Sequence, residues 1–179
     1  MLRRILDALN KGLEFFTAVS MGVLVVDVTW QVITRFILRN PSEWTEELAT
    51  YLMIWVGLLG SAVAFNRKAH LGIDYFVGKL SQQKRRITEA VVYLFTFLFS
   101  LLVMFFGGLQ LVTETFSLGQ TSPALGLPLG YVYLCVPVAG FFLTVYSLEY
   151  LIDTLRMIKN LSAGSIQTDS ETDVTTKDT

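Results

Sequence analysis

AVVYLFTFLFSLLVMFFGGLQLVT, residues 90–113, contains no charged side chain. A helix rising about 1.5 Å per residue crosses a hydrocarbon core of roughly 30 Å in about 20 residues, so this stretch is long enough to span a membrane once. Outward from it, residues 48–66 form a second uncharged run. Residues 15–36 form a third, interrupted by Asp27 and with Arg35 near its end. Residues 130–151 form a fourth apolar run, with Glu149 near its end, preceded by Pro123 and Pro128 and carrying Pro137 inside. A proline within a span is tolerated where neighbouring helices satisfy the freed carbonyl, so Pro137 reads as a kink and not a break.

The expected fold is an all-α integral membrane protein with four transmembrane helices and short interfacial amphipathic helices. Residues 1–14 read as an N-terminal interfacial helix, because Leu2, Ile5, Leu6, Leu9 and Leu13 make an apolar stripe opposite Arg3, Arg4, Asp7 and Lys11. A secretory signal is the rival reading, and it lacks a small-x-small cleavage site before a polar start. Residues 15–155 form the four-span domain. Residues 156–179 are expected to form a disordered cytoplasmic tail, its acidic, Ser/Thr-rich end too polar to offset ordering entropy.

Composition agrees. The 179 residues are 53% hydrophobic and only 16% charged, against about 25% charged in soluble domains, so the apolar excess faces lipid. A formal net charge of −1 offers no basic footprint for nucleic acid. One cysteine and one histidine exclude a disulfide framework, a Cys/His zinc site and a bis-histidine haem within the chain. No cofactor is implied.

Lys and Arg alternate along the loops, which sets orientation. Arg3, Arg4 and Lys11 precede span one. Arg67, Lys68, Lys79, Lys84, Arg85 and Arg86 lie between spans two and three, and Arg156 and Lys159 follow span four. The opposite side has only Arg35 and Arg39. Both termini are therefore expected in the cytoplasm. No inverted repeat of the kind used by many transporters is visible.

The segment Asn40-Pro41-Ser42-Glu43-Trp44-Thr45-Glu46-Glu47-Leu48 is the densest in candidate residues. Asn40 and Glu43 have the spacing of a capping box, and Pro41 suits the first helical position. Acidic residues in the first turns complement the helix dipole, and Trp44 suits the interfacial belt. Glu46 and Glu47 also lie close in sequence to Arg35 and Arg39, so ion pairing between spans or docking of a partner is the second reading. Gly57, Gly60, Ser61 and Ala64 favour close helix contact on span two, as Gly107 and Gly108 do on span three. His70 and Asp74 share a helix face if that loop is helical, without a nucleophile beside them. Asp27, the acid within a span, is a functional candidate by default; it is read as hydrogen-bonded to a neighbouring helix or protonated, with a relay role as the rival.

In combination these residues resemble the small membrane subunit of tripartite ATP-independent periplasmic (TRAP) transporters, the DctQ-like family. The resemblance rests on Trp44-Thr45-Glu46-Glu47-Leu48, Trp55, Gly60, Arg67, His70-x-x-x-Asp74, the run Ser122-Pro123-Ala124-Leu125-Gly126-Leu127-Pro128, and Tyr133 to Pro137-x-x-Gly140. It covers about residues 15–155, and neither Asp27 nor the tail belongs to it. It implies a bacterial inner-membrane protein that pairs with a large DctM-like permease and works with a DctP-like periplasmic binding protein. It further implies sodium-coupled import of small organic acids, with the large subunit moving substrate and the small one enlarging its fixed scaffold. Arg35, Trp44, Glu46, Glu47, Pro123 and Pro128 would then fix the periplasmic end, Arg67, His70 and Asp74 the cytoplasmic end, and Gly57, Gly60 and Pro137 the helix contacts. An autonomous oligomeric carrier or channel lined by Asp27 is the alternative from another class, and a membrane anchor for a redox enzyme is a third.

Overall fold

The computed structural model describes residues 2–40, 42–67 and 82–175, with side chains over residues 9–40, 42–67 and 85–159. Helix α1 covers Leu2–Phe36 and α2 covers Glu43–Asn66. Helix α3 is built in three parts: an α-helical Gln82–Phe99, a π-helical Ser100–Gly107 and an α-helical Gly108–Ser117. A short α4, Leu129–Tyr133, leads through Leu134 into α5, Cys135–Thr175. Among the described residues the only β pairing is an isolated bridge between Thr121 and Pro128. Four segments are long and apolar enough to cross a membrane: Leu9–Phe36, Glu43–Asn66, Arg85–Ser117 and Leu129–Lys159.

Several boundaries differ from the sequence reading. No joint separates an interfacial segment 1–14 from span one, because α1 is continuous and its Gly12 is absorbed within the helix. Extending an existing helix adds one hydrogen bond per residue fixed, whereas a break would require a new nucleus. The same economy carries the α5 backbone to Thr175, through most of the segment assigned to a tail. Helix α2 starts at Glu43 with Ser42 as its cap residue, so Asn40 lies outside it. The Asn40 amide instead donates to the Thr34 carbonyl at 3.1 Å and closes the end of α1.

Across the bundle the helices run in the order α1, α2, α5, α3, with α1 packed chiefly along α2 and α3 along α5. The core holds Leu13, Leu59, Ala62, Met104 and Ala139, flanked by Trp55, Val136 and Phe142. On α1 the buried positions are Leu13, Ser20, Asp27 and Thr34, spaced seven apart, which keeps one seam on a neighbouring helix over several turns. That seam is largely polar, while the exposed face carries Phe15, Val19, Val23, Val26, Trp30 and Phe36. Such inversion suits a helix whose outer surface meets lipid.

Glycine permits the close approach of α5 to α3. A Cβ on Gly140 of α5 would lie 2.8 Å from Met104 Cβ and from the Phe105 amide nitrogen, inside the π-helical part of α3. A Cβ on Gly108 would lie 3.0 Å from Pro137. Pro137 itself occupies the first turn of α5, where a missing N–H leaves no helical bond unmade. The expected kink is thus a joint at Leu134, whose amide donates to the Gly130 carbonyl at 3.2 Å and whose carbonyl accepts from Val138 at 3.2 Å.

Gly57 and Gly60 differ from one another. Gly60 faces Thr17 of α1, whose Cγ2 lies 3.8 Å from where a Cβ would sit, whereas Gly57 opens outward with nothing within 4 Å. Gly140→Ala is therefore expected to destabilise the bundle by about 1–3 kcal/mol through overpacking, read as a lower midpoint in thermal unfolding in detergent. Gly57→Ala, with free space around it, is expected to leave that midpoint unchanged or to raise it slightly.

Candidate functional site

Two polar clusters hold the bundle, one at each end of α2. The first involves the hairpin between α3 and α4. Helix α3 closes at Gly119, which takes φ +61°, a left-handed conformation that glycine adopts without strain. The Gly119 amide donates to the Phe116 carbonyl at 3.1 Å and the Gln120 amide to Thr115 at 3.3 Å. The chain then folds back on itself: the Ser122 amide donates to the Leu127 carbonyl at 2.8 Å, the Gly126 amide to Ser122 at 3.0 Å and the Leu129 amide to Gln120 at 2.9 Å. Pro123 is exposed at the tip and Pro128 is half-buried at the base.

At the turn, the successive amides of Ala124 and Leu125 point to one spot, the kind of concavity that attracts an anion. Glu47 of α2 fills it. Its Oε2 accepts from the Ala124 amide at 3.0 Å and from the Leu125 amide at 2.9 Å. Its Oε1 accepts from the Tyr51 hydroxyl, one helical turn on, at 2.7 Å. Ser122 Oγ adds a second acceptor for the Leu125 amide at 3.1 Å. Hydrogen bonds to an ionised carboxylate are shorter and stronger than neutral ones, so a single side chain latches the hairpin to α2.

The neighbouring candidates are placed differently. Glu46 and Trp44 are exposed, as are Arg35 and Arg39 at the end of α1. Neither arginine pairs with Glu46 or Glu47: the ion pairs among the described residues are Arg67 with Glu14, and Arg85 and Arg86 with Glu89. The expected arginine bridge between spans one and two is thus replaced at Glu47 by backbone amides from a loop 77 residues away in sequence.

The second cluster lies at the other end of α2. Arg67 donates through Nε and Nη2 to the two carboxylate oxygens of Glu14 at 3.0 and 2.9 Å, a bidentate bridge from α2 to α1. Beside it the Tyr150 hydroxyl donates to the Asn66 carbonyl at 2.6 Å, and the Tyr146 hydroxyl to Asn10 Oδ1. Phe65, Tyr93 and Tyr150 stack in a trio that joins α2, α3 and α5. Arg67 was a sequence candidate, and Glu14 was not. Its one signal was a carboxylate in an apolar surrounding. His70 and Asp74 fall outside the described residues.

No group of three or more His, Cys, Asp or Glu able to hold a metal occurs among the described residues. Cys135 is buried, its thiol donating to the Val132 carbonyl at 3.1 Å. The arrangement fastens helices and offers no assembled nucleophile.

The family model for tripartite ATP-independent periplasmic transporters, DctQ component, matches residues 24–157. The chain belongs to this family. A sialic acid TRAP transporter small permease protein from Vibrio cholerae is 28% identical over 96% of this chain and 95% of its own length. An ectoine TRAP transporter small permease protein from Halomonas elongata is 29% identical over 90% of this chain and 80% of its own. An isethionate TRAP transporter permease protein from Oleidesulfovibrio alaskensis is 28% identical over 79% of this chain but only 23% of its own length.

As a DctQ component the chain is a permease subunit and not an enzyme, a multi-pass protein of the inner membrane. Its partners are a large permease subunit and a periplasmic binding protein. Substituting Glu47 by Gln is expected to free the hairpin, read as faster hydrogen exchange at the Ala124 and Leu125 amides. Glu46→Gln, on a side chain with no hold on the hairpin, is expected to leave both amides protected.

Proposed function

We propose that this DctQ component is a fixed scaffold in a sodium-coupled transporter that imports a small organic acid, with both termini in the cytoplasm. The observation that carries the reading is the use made of the chain's polar groups. Glu14, Glu47, Arg67, Tyr51 and Tyr150 are spent on holding helices and hairpin together, which leaves no convergent set among the described residues to bind a carboxylate or an ion. Spans α1, α2 and α5 also run through as continuous helices, without the unwound midplane segments at which secondary transporters bind substrate. Substrate and sodium then belong to the large subunit.

The relatives favour the same division. Proteins named for sialic acid, ectoine and isethionate are similar to this chain to nearly the same degree. All three substrates are small and carry an acid group, and their differences in shape leave no matching difference in similarity here. The cytoplasmic placement of the termini follows from the Lys and Arg of the loops, which crowd the ends near Arg67, Arg85 and Arg156.

Within this reading the hairpin latched by Glu47 forms part of the periplasmic face toward the binding protein, with Pro123 at its tip. Gly57, outward-facing and followed by Ser61 one turn on, forms a small-residue surface where a helix of the large subunit approaches closely. Arg35, Trp44, Glu46, Pro128, His70 and Asp74 belong to the two rims of the same scaffold.

Co-expression with the large membrane protein encoded beside it, followed by mild-detergent purification, is expected to yield a stoichiometric pair. Gly57→Phe is expected to lower recovery of the pair without lowering the stability of this subunit alone, and to leave substrate preference unchanged. Purified subunit that conducts or exchanges a solute alone in liposomes would sink the scaffold reading in favour of a carrier or channel.

A further inference from the structure

Asp27 is the one carboxylate on the buried seam of α1. It retains 7% of its exposure, and its Oδ2 has no hydrogen-bond partner. The contacts of α1 with α2 place its neighbours. Glu14 meets Arg67 and Thr17 meets Gly60, so in this antiparallel pair Asp27 lies level with about residues 50–54 of α2. Those positions are Thr50, Tyr51, Leu52, Met53 and Ile54, with no cation among them.

Among the described residues of α1 and α2, the charged groups nearest the seam are engaged or turned away. On α1, Glu14 is bonded to Arg67, and Arg35 is exposed about two turns beyond Asp27. On α2, the Tyr51 hydroxyl donates to Glu47, Glu47 holds the hairpin, and Glu43 and Glu46 are exposed. On α5, Tyr146 reaches α1 at Asn10, more than four turns from Asp27. An ionised carboxylate here would have lost its water and gained neither a counter-charge nor a donor for Oδ2, the combination that most disfavours the charged form.

We propose that Asp27 is an intramembrane proton site, holding its proton through the working pH range and carried as the neutral acid in the α1–α2 seam. It then matches the other seam residues, Leu13, Ser20 and Thr34, in bearing no charge. This inference concerns α1 alone and stands apart from the scaffold reading.

The test is infrared difference spectroscopy on the complex of this subunit with its large permease in lipid nanodiscs, wild type against Asp27→Asn. A carbonyl-stretch band of a protonated carboxylic acid is expected in the wild type and absent from the variant, and it should persist at about pH 8. The assembled Asp27→Asn complex is expected to keep wild-type uptake, since a neutral amide reproduces a neutral acid. Should that variant fail to assemble, Asp27→Glu makes the same assignment by shifting the band without removing it. Carboxylate bands that vanish with the substitution, in place of an acid band, would overturn the proposal. So would loss of uptake in a fully assembled Asp27→Asn complex, because the proton would then have to leave.

Discussion

In hydrocarbon no water is available to satisfy a polar group, and every such group must be answered from within the protein. The internal order of this bundle follows from that constraint. Most hydroxyls on the spans answer it locally, by donating to a carbonyl three or four residues back: Thr17 to Leu13, Thr29 to Val25, Ser61 to Leu58, Thr115 to Leu111 and Ser147 to Leu143. These residues therefore do not glue one helix to another. They serve as small side chains whose polarity has been neutralised, and their value lies in the close approach they permit. Ser100 and Thr144 are the case in which hydroxyls meet across α3 and α5, at 3.0 Å.

Close approach is most demanding where the π-helical part of α3 crosses α5. The buried residues there are Ser100, Met104 and Gly108, each four apart. In an ordinary α-helix a four-residue step turns about 40° past a full turn, and a line of such residues would drift off its neighbour. The wider π turn, with its i→i+5 bonds, counters the drift and keeps this line on α5. Gly140 and Pro137 then receive it at contact distances that admit no Cβ at Gly140. The irregular winding and the glycine are two halves of one fit.

Much of this was legible in the sequence, and what was not has a physical reason. Long apolar runs revealed the four spans because length and composition alone decide whether a helix can cross hydrocarbon. Helix ends were less visible: Asn40 competes with Ser42 as a cap, and nothing in residues 12–16 marks whether α1 continues. Glu47 stood out as a carboxylate at the mouth of a span, but its partners are main-chain amides of Ala124 and Leu125, and backbone amides carry no sequence signature. Arginines nearby in sequence were therefore the visible candidates. Glu14 escaped because its arginine is 53 residues distant, a separation no local spacing encodes. Gly140 belonged to a pattern of known order, yet its role needed the position of Met104 on another helix. The π segment left no trace in the residue pattern beyond an apolar run.

The two latches would make α2 the axis of the scaffold proposed above. Glu47 and Arg67 are twenty residues apart on one helix, about 30 Å by helical rise, the thickness of the hydrocarbon core itself. Each therefore lies near a boundary where water lets a carboxylate or guanidinium remain charged, and each uses that charge to bind another element. A slide of α1 along α2 by one turn, about 5.4 Å, would break the bidentate Glu14–Arg67 bridge. Tilting the hairpin away from α2 would strip Glu47 of both amides. Between these pins the α1–α2 seam carries only neutral groups if Asp27 is protonated, and the α3–α5 contact is fixed by Gly140. In the scaffold proposed above, charge at the two ends of α2 and close packing between them would hold the bundle, with no ion pair at its centre among the described residues.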